Sequence, residues 1–455
     1  MSYLVKYLKL WGMGSITTDY TDYYRLHGYG IFYFYNNTKM FQIEYSPNLR
    51  WEVVIWWSKN AALPIVAANY IFDNKVKLEN KPDIKDIHAM EELANEAIQI
   101  SKDFFDLTSD KATKLRASTL LIPFWLLKYG KVKFVGCGWC KIWKRPLDTF
   151  DDALMKAGVK ITQWEFKTFE VVDKPKKNIV LQEFSVTATE SLITYLAFAG
   201  NFDYEINVYQ VATEPHVKNL IDFLNNAGAE IKLDMDNIIR IKPWKINIKK
   251  SDPEFSRVNF RIVSDYIQAG TYFAVWAWAD DSEIILKNID VDDLTAIYSL
   301  SEKIWINFKV VDKHTLKVNS YNKKNYKSAK IETRIFPWFP TDLQSIFGTL
   351  ATQCSGVCKI FETLFEWRFG YLTELENLGW KTEILNPHEA IVIWPCELKW
   401  WYVSSTDLRW WGAMVLAWIM AKWTTNIMNE DIILRWYENI VENLKKIWVK
   451  IKQVS

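Results

Sequence analysis

Phe223-Leu224-Asn225-Asn226-Ala227-Gly228-Ala229-Glu230-Ile231 reads as the end of a helix, a left-handed glycine and the start of a strand. Glycine enters the left-handed region without a Cβ penalty, and helices commonly end on it. The pattern recurs at Ala153-Leu154-Met155-Lys156-Ala157-Gly158-Val159-Lys160-Ile161 and, in shorter form, at Glu376-Asn377-Leu378-Gly379. The strands that follow alternate, as in Ile231-Lys232-Leu233-Asp234-Met235 and Ile239-Arg240-Ile241. A helix, strand, strand unit repeated several times predicts an α/β (α+β) chain whose sheets are covered by helices.

Two further copies carry Trp where their sisters carry Gly: Leu300-Ser301-Glu302-Lys303-Ile304-Trp305-Ile306 and Leu444-Lys445-Lys446-Ile447-Trp448-Val449. A bulky aromatic is a poor occupant of a left-handed cap. Either these helices end differently, or many Trp letters stand for Gly. A gene that uses UGA for Gly, translated with a table that reads UGA as Trp, would produce the second outcome. The chain holds 24 Trp and 16 Gly. That glycine content is about half of the roughly 7% usual in globular chains. Trp56-Trp57, Trp400-Trp401 and Trp410-Trp411 add paired cases near polar clusters.

The 455 residues suffice for two ordinary domains. A net charge of +2, from 56 basic and 54 acidic side chains, gives no reason to expect a nucleic-acid partner. No apolar run approaches the roughly 20 residues that span a bilayer. Residues 120–127 and 413–421 read as buried helix. The N-terminus lacks a signal-peptide pattern, and five cysteines predict free thiols in a reducing compartment. Residues 1–39 stand apart as a Tyr-rich extension, or as the product of an overextended start codon. Met40 leads into a first strand at Phe41-Gln42-Ile43-Glu44.

Four clusters carry candidate chemistry. Ser58-Lys59-Asn60-Ala61-Ala62-Leu63-Pro64 sets a Lys at a turn before a small-residue helix, where it meets an anion or solvent. Cys137-Gly138-Trp139-Cys140 is followed by Lys141, Lys144 and Arg145. The Cys-x-x-Cys spacing admits redox or zinc readings. The cations alternatively make a loop thiol usable as an acid or nucleophile. A zinc site would need a second ligand pair, for which Cys354 and Cys358 are the candidates. Phe339-Pro340-Thr341-Asp342-Leu343-Gln344 looks like a helix start, with Asp342 as a cap or as a general base. Arg116, Arg368, Arg409 and Arg435 are dispersed, each a surface ion-pair residue or a bidentate binder of carboxylate and phosphate.

These clusters, in this order, resemble the UDP-N-acetylglucosamine 1-carboxyvinyltransferase family from about Met40 onward. The resemblance is dense at Lys59 to Pro64, at Cys140 through Arg145-Pro146-Leu147-Asp148, at Ser185-Val186-Thr187-Ala188-Thr189-Glu190, at Ala212-Thr213-Glu214-Pro215, at Phe339 to Gln344, and at Thr406-Asp407-Leu408-Arg409. It implies an enolpyruvyl transferase fold of two similar domains, each built from three helix-and-strand units (an inverse α/β barrel). One domain would span 59–263 and carry the Cys loop. The other would join 40–58 to 264–455. The implied reaction moves the enolpyruvyl group of phosphoenolpyruvate onto UDP-N-acetylglucosamine in the cytoplasm. Phosphoenolpyruvate is a co-substrate, and no cofactor, metal, nucleic acid or membrane is implied.

Carried over residue by residue, Cys140 is the loop acid and Asp342 the base. Lys59, Arg145 and Arg435 hold phosphate and carboxylate, while Arg116 and Arg409 support ligand charge in the closed state. Asn60, the stretch Arg145, Pro146, Leu147 and Asp148, the turn Ser185, Val186 and Thr187, and Leu364 face the nucleotide sugar. Thr149, Glu214, Arg368 and Asp407 complete the substrate-contacting set. The family has Gly where this chain has Trp51, Trp56, Trp139, Trp143, Trp423 and Trp436. Thr187 replaces a common Gly, Glu183 a basic residue and Leu434 an acid, which puts the Glu183 contact to a diphosphate in doubt. The rival readings are the sister enzyme acting on 3-phosphoshikimate, a non-catalytic nucleotide-sugar-binding paralogue and a thiol-redox protein.

Overall fold

The computed structural model describes residues 40–100, 105–107, 110–135, 147–244, 259–377, 379–393, 402–404, 413, 416–417, 425–428, 440–446 and 449–454. The extension at 1–39 lies outside them.

The expected repeat is visible in the strand pairing. One copy begins with the strand Asn178–Val180. The chain then passes through the helix Val186–Phe198 to the strand Ile206–Tyr209, which runs parallel to the first. Parallel neighbours need such a crossover. A second helix, Pro215–Asn226, leads to the hairpin Ile231–Asp234 and Ile238–Ile241, whose second strand pairs antiparallel with Ile206–Tyr209. Among the described residues, five four-stranded sheets share this rule of one outer parallel pair followed by two antiparallel pairings. A sixth sheet is the parallel pair Asn259–Arg261 and Lys77–Glu79.

The helices at the centre are apolar on every side and accordingly enclosed. In Val186–Phe198 every residue from Ala188 onward is buried. The same holds for Ile267 to Ala277 in the helix Tyr266–Trp278 and for all of Gln344–Ala351. Sheets therefore lie outside and helices inside, as an inverse barrel requires. Buried apolar side chains form two clusters. One runs from Trp57 to Ile262, and the other joins Ile43, Leu49, Val53 and Ile55 to residues from Ile267 to Ile451. The chain passes between them at 56–58 and 263–265. These segments lie side by side, with Ser58 N donating to Val263 O at 2.8 Å, Asp265 N to Trp56 O at 2.9 Å, and an antiparallel bridge between Trp57 and Ser264.

Gly158, Gly228 and Gly379 adopt φ of 87°, 93° and 96° at the ends of their helices. A Cβ on Gly158 would also stand 2.2 Å from Asp173 O, so the close approach excludes any side chain. Trp305 fills the same slot after the helix Thr295–Ile304, with φ 72° and ψ 30°. Trp367 adds a second left-handed Trp at φ 57°. Trp448 lies outside the described residues. Trp56 and Trp57 fill no left-handed slot. Neither has positive φ, because the backbone there is extended and paired with 263–265.

Cys354 and Cys358 are free thiols as expected, buried in the turn and strand after helix 344–351. Their sulfurs donate to Leu350 O at 3.4 Å and Ala329 O at 3.0 Å. Burial pushes both thiols up, Cys358 to about 12. Among the described residues no helix is long and apolar enough to cross a membrane.

Candidate active site

Lys59 is the first residue of the helix Lys59–Asn69, not a residue of an open turn. Ser58 caps it, its hydroxyl accepting from Ala61 N at 3.4 Å. Lys59 is 6% exposed and forms an ion pair with Asp86, which stands in the first turn of the helix Lys85–Ile100. A buried ammonium held by one carboxylate at a helix N-terminus presents positive charge on a fixed mount. Asn60, the next residue, is half-buried.

Three more expected residues sit at helix starts. Leu147 precedes the helix Asp148–Lys156, in which Asp148 is exposed and Thr149 buried. Ser185 caps Val186–Phe198, its hydroxyl accepting from Ala188 N at 3.4 Å, with Val186 and Thr187 half-buried beside it. Arg116 opens a short 3-10 turn, Arg116–Leu120, and is half-buried.

Asp342 lies in the 3-10 turn Thr341–Leu343 that leads into helix 344–351, as the Pro-Thr-Asp signal predicts. Its carboxylate accepts from Arg368 Nη2 at 2.9 Å. Arg368 is 4% exposed, and its Nη1 donates to Thr341 Oγ1 at 2.6 Å. The Thr341 hydroxyl in turn donates to Glu362 Oε2 at 2.7 Å. Glu362 Oε1 accepts from Leu364 N at 3.0 Å and Phe365 N at 3.3 Å, which fixes the turn carrying Leu364. Arg368, expected to contact substrate, thus spends two nitrogens beneath Asp342. Gly270 allows helix 266–278 to press against this turn. A Cβ there would stand 2.4 Å from Leu343 Cδ1 and 2.8 Å from Ile297 Cδ1.

Glu214 occupies the N-cap position of helix 215–226. Burial is the main cause that pushes its carboxyl up to about 7. Hydrogen bonds from its own and the Thr213 backbone oppose this, the charge of Asp342 adds to it, and Lys218 lowers it. Glu214 and Asp342 therefore stand within electrostatic reach of each other. Tyr266, half-buried, feels both, and its phenol is raised first by desolvation and then by these carboxylates. Thr213 Oγ1 donates to Phe336 O at 3.4 Å, and Lys218 Nζ lies 4.8 Å from the Phe336 ring centre. The Glu214 loop and the Asp342 turn, taken from the two core clusters, thus meet.

Cys140, Arg145, Pro146, Asp407, Arg409 and Arg435 lie outside the described residues. Asp86, Glu362 and Tyr266 were not singled out from sequence. A hint existed for Asp86, an acid in the first turn of an amphipathic helix, but nothing local ties it to Lys59. Among the described residues no cluster of three His, Cys, Asp or Glu side chains could hold a metal ion. The arrangement brings a carboxylate held by arginine close to a second, near-neutral carboxyl, and places a buried lysine at a helix start.

A family model described as EPSP synthase (3-phosphoshikimate 1-carboxyvinyltransferase) matches residues 46–444. A protein of Pseudothermotoga lettingae named UDP-N-acetylglucosamine 1-carboxyvinyltransferase is 31% identical over 420 residues, which cover 89% of this chain and 97% of that one. One of the same name from Pelagibacter ubique is 32% identical, covering 92% and 100%. Among solved structures, the enolpyruvyl transferase NikO from Streptomyces tendae superposes with a TM-score of 0.76 at 18% identity, over 92% of this chain and 99% of its own. An EPSP synthase from Acinetobacter baumannii gives 0.68 at 11% identity, over 92% and 100%. The fold rule repeated in five sheets, the full-length relatives and the family model agree: the chain belongs to the EPSP synthase family of enolpyruvyl transferases, on its UDP-N-acetylglucosamine 1-carboxyvinyltransferase side.

Proposed function

We propose that the chain transfers the enolpyruvyl group of phosphoenolpyruvate to the 3′-hydroxyl of UDP-N-acetylglucosamine, releasing phosphate, as the first committed step of cytoplasmic wall-precursor synthesis. The observation that carries this reading is the similarity over nearly the whole chain to relatives bearing that enzyme's name. The mounting of Asp342 supports it from the structure. Asp342 is the base that takes the proton from the sugar hydroxyl as the hydroxyl oxygen bonds to C2 of phosphoenolpyruvate. Cys140 supplies the proton to C3. Loss of phosphate and of the C3 proton from the tetrahedral adduct completes the transfer. Lys59, Arg145 and Arg435 hold the phosphate and carboxylate, and fixed cations stabilise the charge that moves onto leaving phosphate. The halves 59–263 and 40–58 plus 264–455 close on the substrates about the paired crossings, which suit a hinge of few residues.

The test is phosphate release with UDP-N-acetylglucosamine against shikimate 3-phosphate as acceptor. Release only with the nucleotide sugar is expected, and release only with shikimate 3-phosphate would overturn the reading. Asp342→Asn is expected to bind the nucleotide sugar with near-normal affinity and to turn over orders of magnitude more slowly. Cys140→Ser is expected to lose most activity.

A further inference from the structure

Helix 186–198 buries one acid, Glu190, together with Thr189, Ser191 and Thr194. Glu190 is 4% exposed, and among the described residues its Oε1 has no hydrogen-bond partner. The nearby Glu214 shares this feature, since its Oε2 is buried and has no hydrogen-bond partner among the described residues. The two segments are stitched together one residue away from Glu190, where Ala212 N donates to Thr189 Oγ1 at 3.0 Å. Buried polar atoms in folded proteins are almost always paired, and an unpaired one costs about 1–3 kcal/mol. Two ionised carboxylates have only acceptors and cannot pair with each other. A single proton on one of them supplies the missing donor and removes the like-charge repulsion.

We propose that Glu190 is a positioning residue that keeps its proton, donates that hydroxyl to the Glu214 carboxylate, and so fixes the charge beside Asp342. Glu190 is the bearer of the proton because it is the more deeply buried. Burial first, and the Glu214 charge second, hold its carboxyl well above the usual range. The groups coupled to the Glu214 charge are Glu190, Asp342, the Tyr266 phenol and Lys218 on its own helix, and the buried His216 lies two residues further along that helix. When Glu214 ionises, its charge makes Asp342 a stronger base while Arg368 holds the Asp342 carboxylate in place. The inference rests on Asp342 being the base, so one of its two tests does not involve turnover.

The first test is infrared spectroscopy of the full chain at about pH 8, far above the ordinary glutamic acid value of about 4.3. The wild type is expected to show the C=O stretch of a protonated carboxyl that Glu190→Gln lacks. Identical difference spectra would overturn the proposal whatever the reaction is. The second test is the pH profile of kcat/KM. Glu190→Gln is neutral and keeps a donor, so its acidic limb is expected to stay where the wild type's lies. Glu190→Leu removes the donor and is expected to move the limb upward by about one pH unit. A downward move in Glu190→Gln would mean that Glu190 is ionised and would sink the idea. If Glu190→Leu does not fold, the Gln variant and its spectrum still decide the matter.

Discussion

Trp305 stands at φ 72° and ψ 30° after helix 295–304, where its N–H donates to the carbonyls of Glu302 and Ser301. The next amide, Ile306 N, reaches back to Ser301 O at 2.9 Å, which completes the helix end. The left-handed position is therefore imposed by two backbone bonds and cannot relax without losing them. A side chain there costs about 1–2 kcal/mol. Two effects oppose a change to glycine. The indole is half-exposed and lies under Lys327 Nζ at 3.8 Å, a contact that contributes about 0.5–1 kcal/mol at such a site. Glycine also loses about 0.4–1 kcal/mol through the greater freedom of its unfolded chain. Trp305→Ala loses the ring but keeps the strained Cβ. Trp305→Gly loses both, so it is expected to be about 1 kcal/mol more stable than the Ala variant and within about 1 kcal/mol of the wild type. Urea unfolding of the three proteins measures this as an ordered set of midpoints. Equal midpoints for Ala and Gly would mean that the cap carries no left-handed strain. The same strain leads to a second readout, because position 305 is expected to be Gly in protein taken from its native source. Peptide mass spectrometry that finds Trp there would end the recoding explanation.

Three further perturbations follow from the site. Glu214 rises from an ordinary 4.5 to about 7. The folded state thus binds more protons than the unfolded one, and stability present in full below about pH 4.5 is lost as pH rises toward 7. Each pKa unit is worth about 1.4 kcal/mol, so Glu214→Gln is expected to be more stable than wild type at about pH 8 by at most about 3 kcal/mol. Thermal unfolding across pH checks this, and parallel curves would contradict it. Gly270→Ala forces a methyl into Leu343 and Ile297, with an expected cost of about 1–3 kcal/mol and a fall in kcat through the displaced Asp342 turn. Unchanged kinetics and midpoint would show that the contact yields freely. Asp86→Ala leaves Lys59 buried without its carboxylate, for an expected loss of about 3–5 kcal/mol. Saturating phosphoenolpyruvate is expected to recover part of that loss by supplying an anion, and calorimetry with and without the ligand measures it.

The repeat was legible in sequence because a left-handed glycine answers a need of its own backbone, and Gly158 and Gly228 announce helix ends without reference to distant contacts. Asp342 was legible for the same reason, as Pro-Thr-Asp marks a helix start locally. What lay hidden depends on partners far away in the chain. Lys59 looked like a solvated loop lysine because Asp86, which buries it, belongs to another helix. The anchoring of Arg368 on Thr341 and Asp342 was hidden because its sequence neighbourhood does not reveal them as its acceptors. The backbone at Trp56-Trp57 was not legible for a related reason. Its extended form is dictated by pairing with Ser264, which no local pattern discloses.

The strand Met40–Glu44 lies between Thr425–Met428 and Lys450–Val454, antiparallel to both. Beside it, Lys450 N donates to Ser46 Oγ at 2.9 Å across 404 residues of chain. During synthesis at about 5–20 residues per second, the first strand leaves the ribosome roughly 20–80 seconds before the partners that flank it. The stretch from Trp57 to Ile262, by contrast, carries its own core and has its sheet partners within reach much earlier. A newborn chain therefore has its middle made while the strand Met40–Glu44 still waits, with both edges open, for the strands at 425–428 and 450–454.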